Sequence, residues 1–160
     1  VEMLRRAGVH VTLASVQTES TTVECNMGIN IVADKPAEEA DYDAVILPGG
    51  LGGSKTMAAS ELVKQTLKQY HEAGKLVALI CAGPTVLAAA GIAKGGKITS
   101  YPSVKSEFAG KHMRCSSLPL LLQLHVRGPG TVFPFAMAII EHLLGKAAAD
   151  KLRSSCLIKE

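Results

Sequence analysis

Short unbroken apolar runs recur along the chain, each closed by a glycine-bearing turn and followed by a helical pattern. The segment 43–47 (DAVIL) ends at Pro48-Gly49-Gly50, and 75–80 (KLVALI) runs straight into Cys81-Ala82-Gly83-Pro84. Runs of this length without polar alternation are the pattern of strands covered on both faces. Between them Ser60 is placed to cap a helix over about 61–73, with Leu62, Val63, Leu67 and Tyr70 spaced to share one face and Gly74 ending it. An alanine-rich helix over 84–90 is expected to stop at Gly91, and an apolar helix over 131–144 to close at Gly145. Upstream, 1–8 (VEMLRRAG) reads as a helix ended by Gly8 in a left-handed turn, 9–15 (VHVTLAS) as a strand, and 17–24 as a polar loop or sheet edge. Residues 29–34 (INIVAD) read as a short strand, 35–41 as an acidic connection, 97–100 as a further strand and 102–109 as a turn with a short helix.

Strands alternating with helices imply βαβ crossovers and an α/β fold with a mostly parallel sheet covered on both faces. No internal repeat or linker-like tract interrupts the pattern, so residues 1–160 are expected to form a single domain.

Composition narrows the function classes. A chain of 160 residues that is 48% hydrophobic can bury one sizeable core. Seventeen Lys and Arg against fourteen Asp and Glu leave a dispersed +3, too weak a field to expect a nucleic-acid partner. No apolar run approaches the roughly 20 residues that span a bilayer, and no charged-then-apolar leader is visible, so no membrane association is expected. The expected compartment is the cytoplasm, with the nucleus or an organelle open if an upstream targeting segment exists. The four cysteines (Cys25, Cys81, Cys115, Cys156) are widely spaced and form no CxxC pair, so reduced thiols are expected.

Cys81 is the candidate nucleophile. It sits where a buried strand passes into a helix, a position where backbone N–H groups and the helix dipole favour an anion and so a thiolate. A lone cysteine in apolar surroundings is commonly just a small buried hydrophobe. The strand-to-helix elbow, followed by small Ala82 and Gly83 that let a substrate approach, favours chemistry instead. The histidines carry less. His112 and His125 have no carboxylate at ligand spacing, and these two, with His71 and His142, read as surface or structural residues, so no metal site is expected. Cys115 and Cys156 have no supporting context.

The words LPGG (47–50), ICAGP (80–84) and RGPG (127–130), in this order and spacing, resemble the DJ-1/PfpI superfamily, and RRAG (5–8) supports the match. The longer stretches RRAGVHVTLAS, YDAVILPGGLGG, ICAGPTVLAAAGI and RGPGTVFPFAMAIIEHLLG place the resemblance in the DJ-1 branch, over most of the chain. It implies a flavodoxin-like sandwich, a homodimer, no cofactor and an exposed reactive cysteine, matched by Cys81. It also implies oxyanion-binding N–H groups at Gly50 and Ala82, with Gly49, Tyr101, Gly128 and Pro129 lining the site. Arg6 is the residue that would reach the site of a partner subunit, and Cys25 resembles a second family cysteine near the dimer interface, where packing is as good a reading as redox.

The resemblance has gaps. Members place a glutamate beside the cysteine, on the turn after a central first strand, and this chain is expected to begin too late to contain either; Glu2 falls at a later helical position. A histidine of the animal proteins aligns with Tyr101, as in plant-like members, and an arginine aligns with Met27. The stretch 115–126 (CSSLPLLLQLHV) replaces a charged hairpin by an apolar run, which reads as a strand or buried segment, as a surface for a partner, or as a local anomaly of splicing or reading frame. Pro119 argues against a regular central strand over its full length.

The function implied is a cysteine-dependent glyoxalase or deglycase acting on a small reactive dicarbonyl such as methylglyoxal, or on early glycation adducts, and impaired where the glutamate is lacking. The alternatives are a stress protein switched by oxidation of Cys81, or an inactive isoform. The protease activity of another branch is disfavoured, since Ala82 stands where that branch has its histidine.

Overall fold

The computed structural model describes residues 1–16, 20–92, 98–108 and 123–158, with the backbone alone for 123–126. Its centre is a three-stranded parallel sheet in the order β5 (Ala44–Leu47), β6 (Leu76–Ile80), β7 (Gln123–Val126). Ala44 pairs with Leu76 and Leu47 with Leu79, while Val77 pairs with Gln123 and Ile80 with Val126.

Successive side chains of a strand point to opposite faces, and β6 divides the interior accordingly. Val77 and Leu79 enter one core with Leu67 and Tyr70 of α3 (Glu61–Glu72) and Val86 and Leu87 of α4 (Thr85–Ala90). Leu76 and Ala78 enter the other, with Leu4 of α1 (Glu2–Arg6), Met137, Ile139 and Ile140 of α5 (Val132–Leu144), and Leu152 of α6 (Lys146–Ser155). This is the expected α/β layering. The Ser60 hydroxyl accepts the Val63 N–H and starts α3, and Gly8, Gly74, Gly91 and Gly145 all take positive φ at helix ends.

Two further strand pairs stand apart from this ladder. β1 (Ala14–Ser15) pairs in parallel with β4 (Lys35–Pro36), and β2 (Thr22–Glu24) forms an antiparallel hairpin with β3 (Asn30–Val32). Among the described residues no strand joins β1 to β5.

Several expectations need correction. The strand expected over 9–15 is confined to Ala14–Ser15, because a strand needs a paired neighbour and among the described residues only β4 supplies one. The connection 35–41 instead begins with that neighbour, held by the Asp34 N–H on Leu13 C=O (2.7 Å) and the Ala37 N–H on Ser15 C=O (2.7 Å). Residues 98–100 form no strand: Ile98 is buried beside α4, and the chain turns over the end of β6 rather than running alongside it. Lys97, Ala109 and residues 110–122, with His112 and Cys115, lie outside the described residues. Of the apolar run 115–126 only β7 is described. The segment 102–108 is a short 3-10 helix, and two helices were not anticipated, α2 (Leu51–Ala59) and α6.

Candidate active site

The apolar strand β6 delivers its chain to Cys81 in the left-handed region, φ 63°. Such a conformation is uncommon for a residue with a side chain and is held by its surroundings. The Gly83 N–H bonds the Ile80 carbonyl (2.9 Å) and closes the turn that leads into α4. The parallel neighbour β5 ends beside it in Pro48-Gly49-Gly50.

Glycine is required where these two turns meet. A β-carbon on Gly49 would stand 2.5 Å from Cys81 Cβ, 2.9 Å from the Ile80 carbonyl oxygen and 3.2 Å from Cys81 Sγ. On Gly83 it would stand 3.0 Å from both the Ile80 and the Pro48 carbonyl oxygens. Gly83 therefore serves chiefly to let the Pro48 carbonyl in, rather than to admit a substrate as its small size alone suggests. Gly50, at φ 89°, heads α2 and accepts the Ser54 N–H (2.9 Å).

Ala82 is fully buried, and its carbonyl accepts the Thr85 hydroxyl (2.8 Å) and N–H (3.0 Å). Neither the Gly50 nor the Ala82 N–H has an acceptor among the described residues. Free backbone donors beside a nucleophile are what an oxyanion site requires.

The third wall comes from the far side. The Tyr101 N–H donates to the Cys81 carbonyl (2.8 Å), and its ring lies 3.4 Å from where a β-carbon of Gly128 would stand. Gly128 is clamped by Thr131, whose hydroxyl accepts the Gly128 N–H (3.2 Å) and donates to its carbonyl (2.7 Å). Sequence reasoning missed this clamp, although a threonine directly after RGPG is where a short helical turn takes one. Pro129 is exposed at the start of that turn.

Gly49, Cys81, Tyr101 and Gly128 thus form one contiguous set, with Gly50 and Ala82 adjoining it. Arg6 lies on α1, bonded to Glu2 (2.9 Å), and has no bond to the Cys81 elbow within this chain. His71 and His142 are exposed on α3 and α5. Among the described residues no group of three His, Cys, Asp or Glu side chains is placed to hold a metal ion. Two cavities, of about 450 and 560 Å³, open around Val9 and His10, and neither touches Cys81. Their place at the opposite ends of the strands marks them as unrelated to its chemistry.

The sequence profile of the DJ-1/PfpI family matches residues 1–142. The Parkinson disease protein 7 homolog of Danio rerio is 38% identical over all of this chain and 88% of its own length. The glutathione-independent glyoxalase DJR-1.2 of Caenorhabditis elegans is 34% identical over 99% of this chain and 87% of its own. The crystal structure of Drosophila melanogaster DJ-1beta superposes with a TM-score of 0.93 at 36% identity, covering 99% of this chain and 88% of that one. An interlocked glycine turn and cysteine elbow at the carboxyl ends of two parallel strands, on a fold shared over nearly the whole chain, lead to one conclusion: the chain belongs to the DJ-1/PfpI family.

Proposed function

We propose that the chain is a DJ-1-like, cysteine-dependent enzyme acting on small α-oxoaldehydes, with methylglyoxal as the model substrate. The observation that carries this reading is the elbow itself: Cys81 at positive φ, its Sγ against the bare face of Gly49, with two unpaired backbone donors adjoining. The glyoxalase among the relatives supports the same chemistry.

In this reading the Cys81 thiolate adds to the aldehyde carbon, a C–S bond forms, and the carbonyl electrons pass to oxygen. The N–H groups of Gly50 and Ala82 stabilise that oxyanion. A proton then moves from the former aldehyde carbon to the neighbouring ketone carbon, which leaves a thioester of lactate. Water hydrolyses the thioester and frees the thiol, so the sum is methylglyoxal plus water to lactate, with no external oxidant or reductant. That proton transfer is the step that calls for a positioned acid–base group beside the elbow. A positioned acid–base group typically contributes about 10²–10⁴-fold.

The assembly that goes with this reading is a homodimer. The β2–β3 hairpin leaves Met27 and Ile29 at its tip and Val32 at its base open to solvent, an apolar surface suited to a second copy.

Lactate formation from methylglyoxal tests the proposal. Production by the chain, abolished by Cys81→Ala, is expected; equal production by the variant overturns it. Oxidation of the same partly buried thiol is the second use of the site. That reading gains if peroxide modifies Cys81 while no lactate forms.

A further inference from the structure

The rim of the Cys81 elbow is apolar and open. Leu51, which follows Gly50 and begins α2, is 64% exposed, and Tyr101, whose N–H holds the Cys81 carbonyl (2.8 Å), is 41% exposed. A single apolar residue in solvent is ordinary on a protein surface. These two are tied to the same thiol from two sides. Leu51 continues the turn in which a β-carbon on Gly49 would stand 3.2 Å from Cys81 Sγ, and Tyr101 is fixed by its own backbone bond. Pro129, exposed next to Gly128, extends the Tyr101 side, since that ring lies 3.4 Å from where a β-carbon of Gly128 would stand.

Polarity divides the site between two parts of a substrate. When the thiolate adds to an aldehyde, the C–S bond fixes the aldehyde carbon at Sγ. The oxygen takes the carbonyl electron pair and then a proton from water, and the Gly50 and Ala82 N–H groups hold that oxygen. The group beyond the ketone is left to the rim. There Leu51 and Pro129 shield an apolar substituent from water, and Tyr101 offers it an aromatic surface. Apart from the Cys81 thiol and the Tyr101 phenol, no residue that these contacts bring together has an ionisable side chain. A carboxylate or phosphate in the same place would give up hydration and meet no cation among these residues.

We infer, on the cysteine-dependent reading above, that Leu51 and Tyr101 set the substrate preference of this site, toward α-oxoaldehydes that carry a bulky apolar group, an aryl or branched alkyl, in place of the methyl of methylglyoxal. One added methylene in an apolar pocket discriminates by about tenfold or more, so a whole ring that is only partly covered by this open rim is expected to gain about tenfold.

The test reads formation of the C–S bond alone, ahead of any proton transfer between carbons. Phenylglyoxal or methylglyoxal is titrated against the rate at which iodoacetamide alkylates Cys81, followed by peptide-mapping mass spectrometry. N-acetylcysteine treated in the same way supplies the intrinsic reactivity of each aldehyde toward a free thiol. After division by that reference, half-protection of Cys81 is expected at about tenfold lower phenylglyoxal than methylglyoxal. Leu51→Asn, close in size at an exposed helix start, and Tyr101→Ser are each expected to lower this preference by about threefold or more. A preference no greater than that of the free thiol, or one that both variants retain, overturns the assignment of these two residues and leaves the cysteine-dependent reading standing. No protection by either aldehyde overturns that reading, and the assignment with it.

Discussion

Gly49 lies so close to Cys81 that a β-carbon on the glycine would stand 2.5 Å from Cys81 Cβ, well inside the distance two carbons tolerate. The contact fixes the thiol's neighbour as bare backbone, and it makes the turn after β5 and the elbow after β6 a single unit.

Gly49→Ala must therefore move backbone on one side or the other, since the Ile80 carbonyl would also lie 2.9 Å away. Overpacking of this kind costs about 1–3 kcal/mol, and the displacement falls on Cys81. Denaturant unfolding with a parallel rate of iodoacetamide alkylation at Cys81 checks both. The contrast is Gly53→Ala, inside α2 with nothing within 4 Å of its new methyl, which is expected to stabilise by roughly 0.5–1 kcal/mol.

Tyr70 gives a second test, on the packing that supports β5. Its buried hydroxyl accepts the Tyr42 N–H (2.8 Å) and donates to the Ala40 carbonyl (3.0 Å). Tyr70→Phe strands both groups and is expected to cost about 1–3 kcal/mol. By the same reasoning Ser54→Ala is neutral or stabilising, because the buried Ser54 hydroxyl has no partner among the described residues to lose. Urea midpoints of the two variants should move in opposite directions, or the serine's should not move at all.

Acid sensitivity follows from Asp34. Its carboxylate accepts the Leu13 N–H (2.7 Å) and a guanidinium N–H of Arg5 (2.6 Å), and these bonds hold its pKa below the usual carboxylate value. A depressed folded-state pKa means stability that is present above the unfolded value of about 3.9 and lost as pH falls through the folded one. Asp34→Asn should remove that part of the acid dependence and lower stability near neutral pH, read from Tm between pH 2 and 7.

The parts of this architecture that were legible in the sequence are those whose signals are local and strong. β6 declared itself by five consecutive apolar residues, α3 by Ser60 and its stripe of Val63, Leu67 and Tyr70, and the elbow by Cys81 between the two patterns. α2 was not legible. Its sequence LGGSKTMAA has two glycines and no apolar stripe, and only Ser54 and Met57 are buried, so packing against α3 and α4 makes the helix where propensity does not. β1 is shorter than the segment 9–15 because the extent of a strand depends on a paired neighbour, and among the described residues β4 pairs with Ala14 and Ser15 alone. The tie between Tyr101 and Cys81 joins residues far apart in sequence through a backbone group, which no side-chain pattern reports.

The central claim, that the Cys81 thiol is the reacting group, is tested most directly by peptide-mapping mass spectrometry of the chain treated with less than one equivalent of iodoacetamide, with lactate formation followed in the same samples. The account predicts that Cys81 is modified ahead of Cys25, Cys115 and Cys156, and that activity falls in proportion to its modification. Earlier modification of another cysteine, or activity that survives complete alkylation of Cys81, would contradict it.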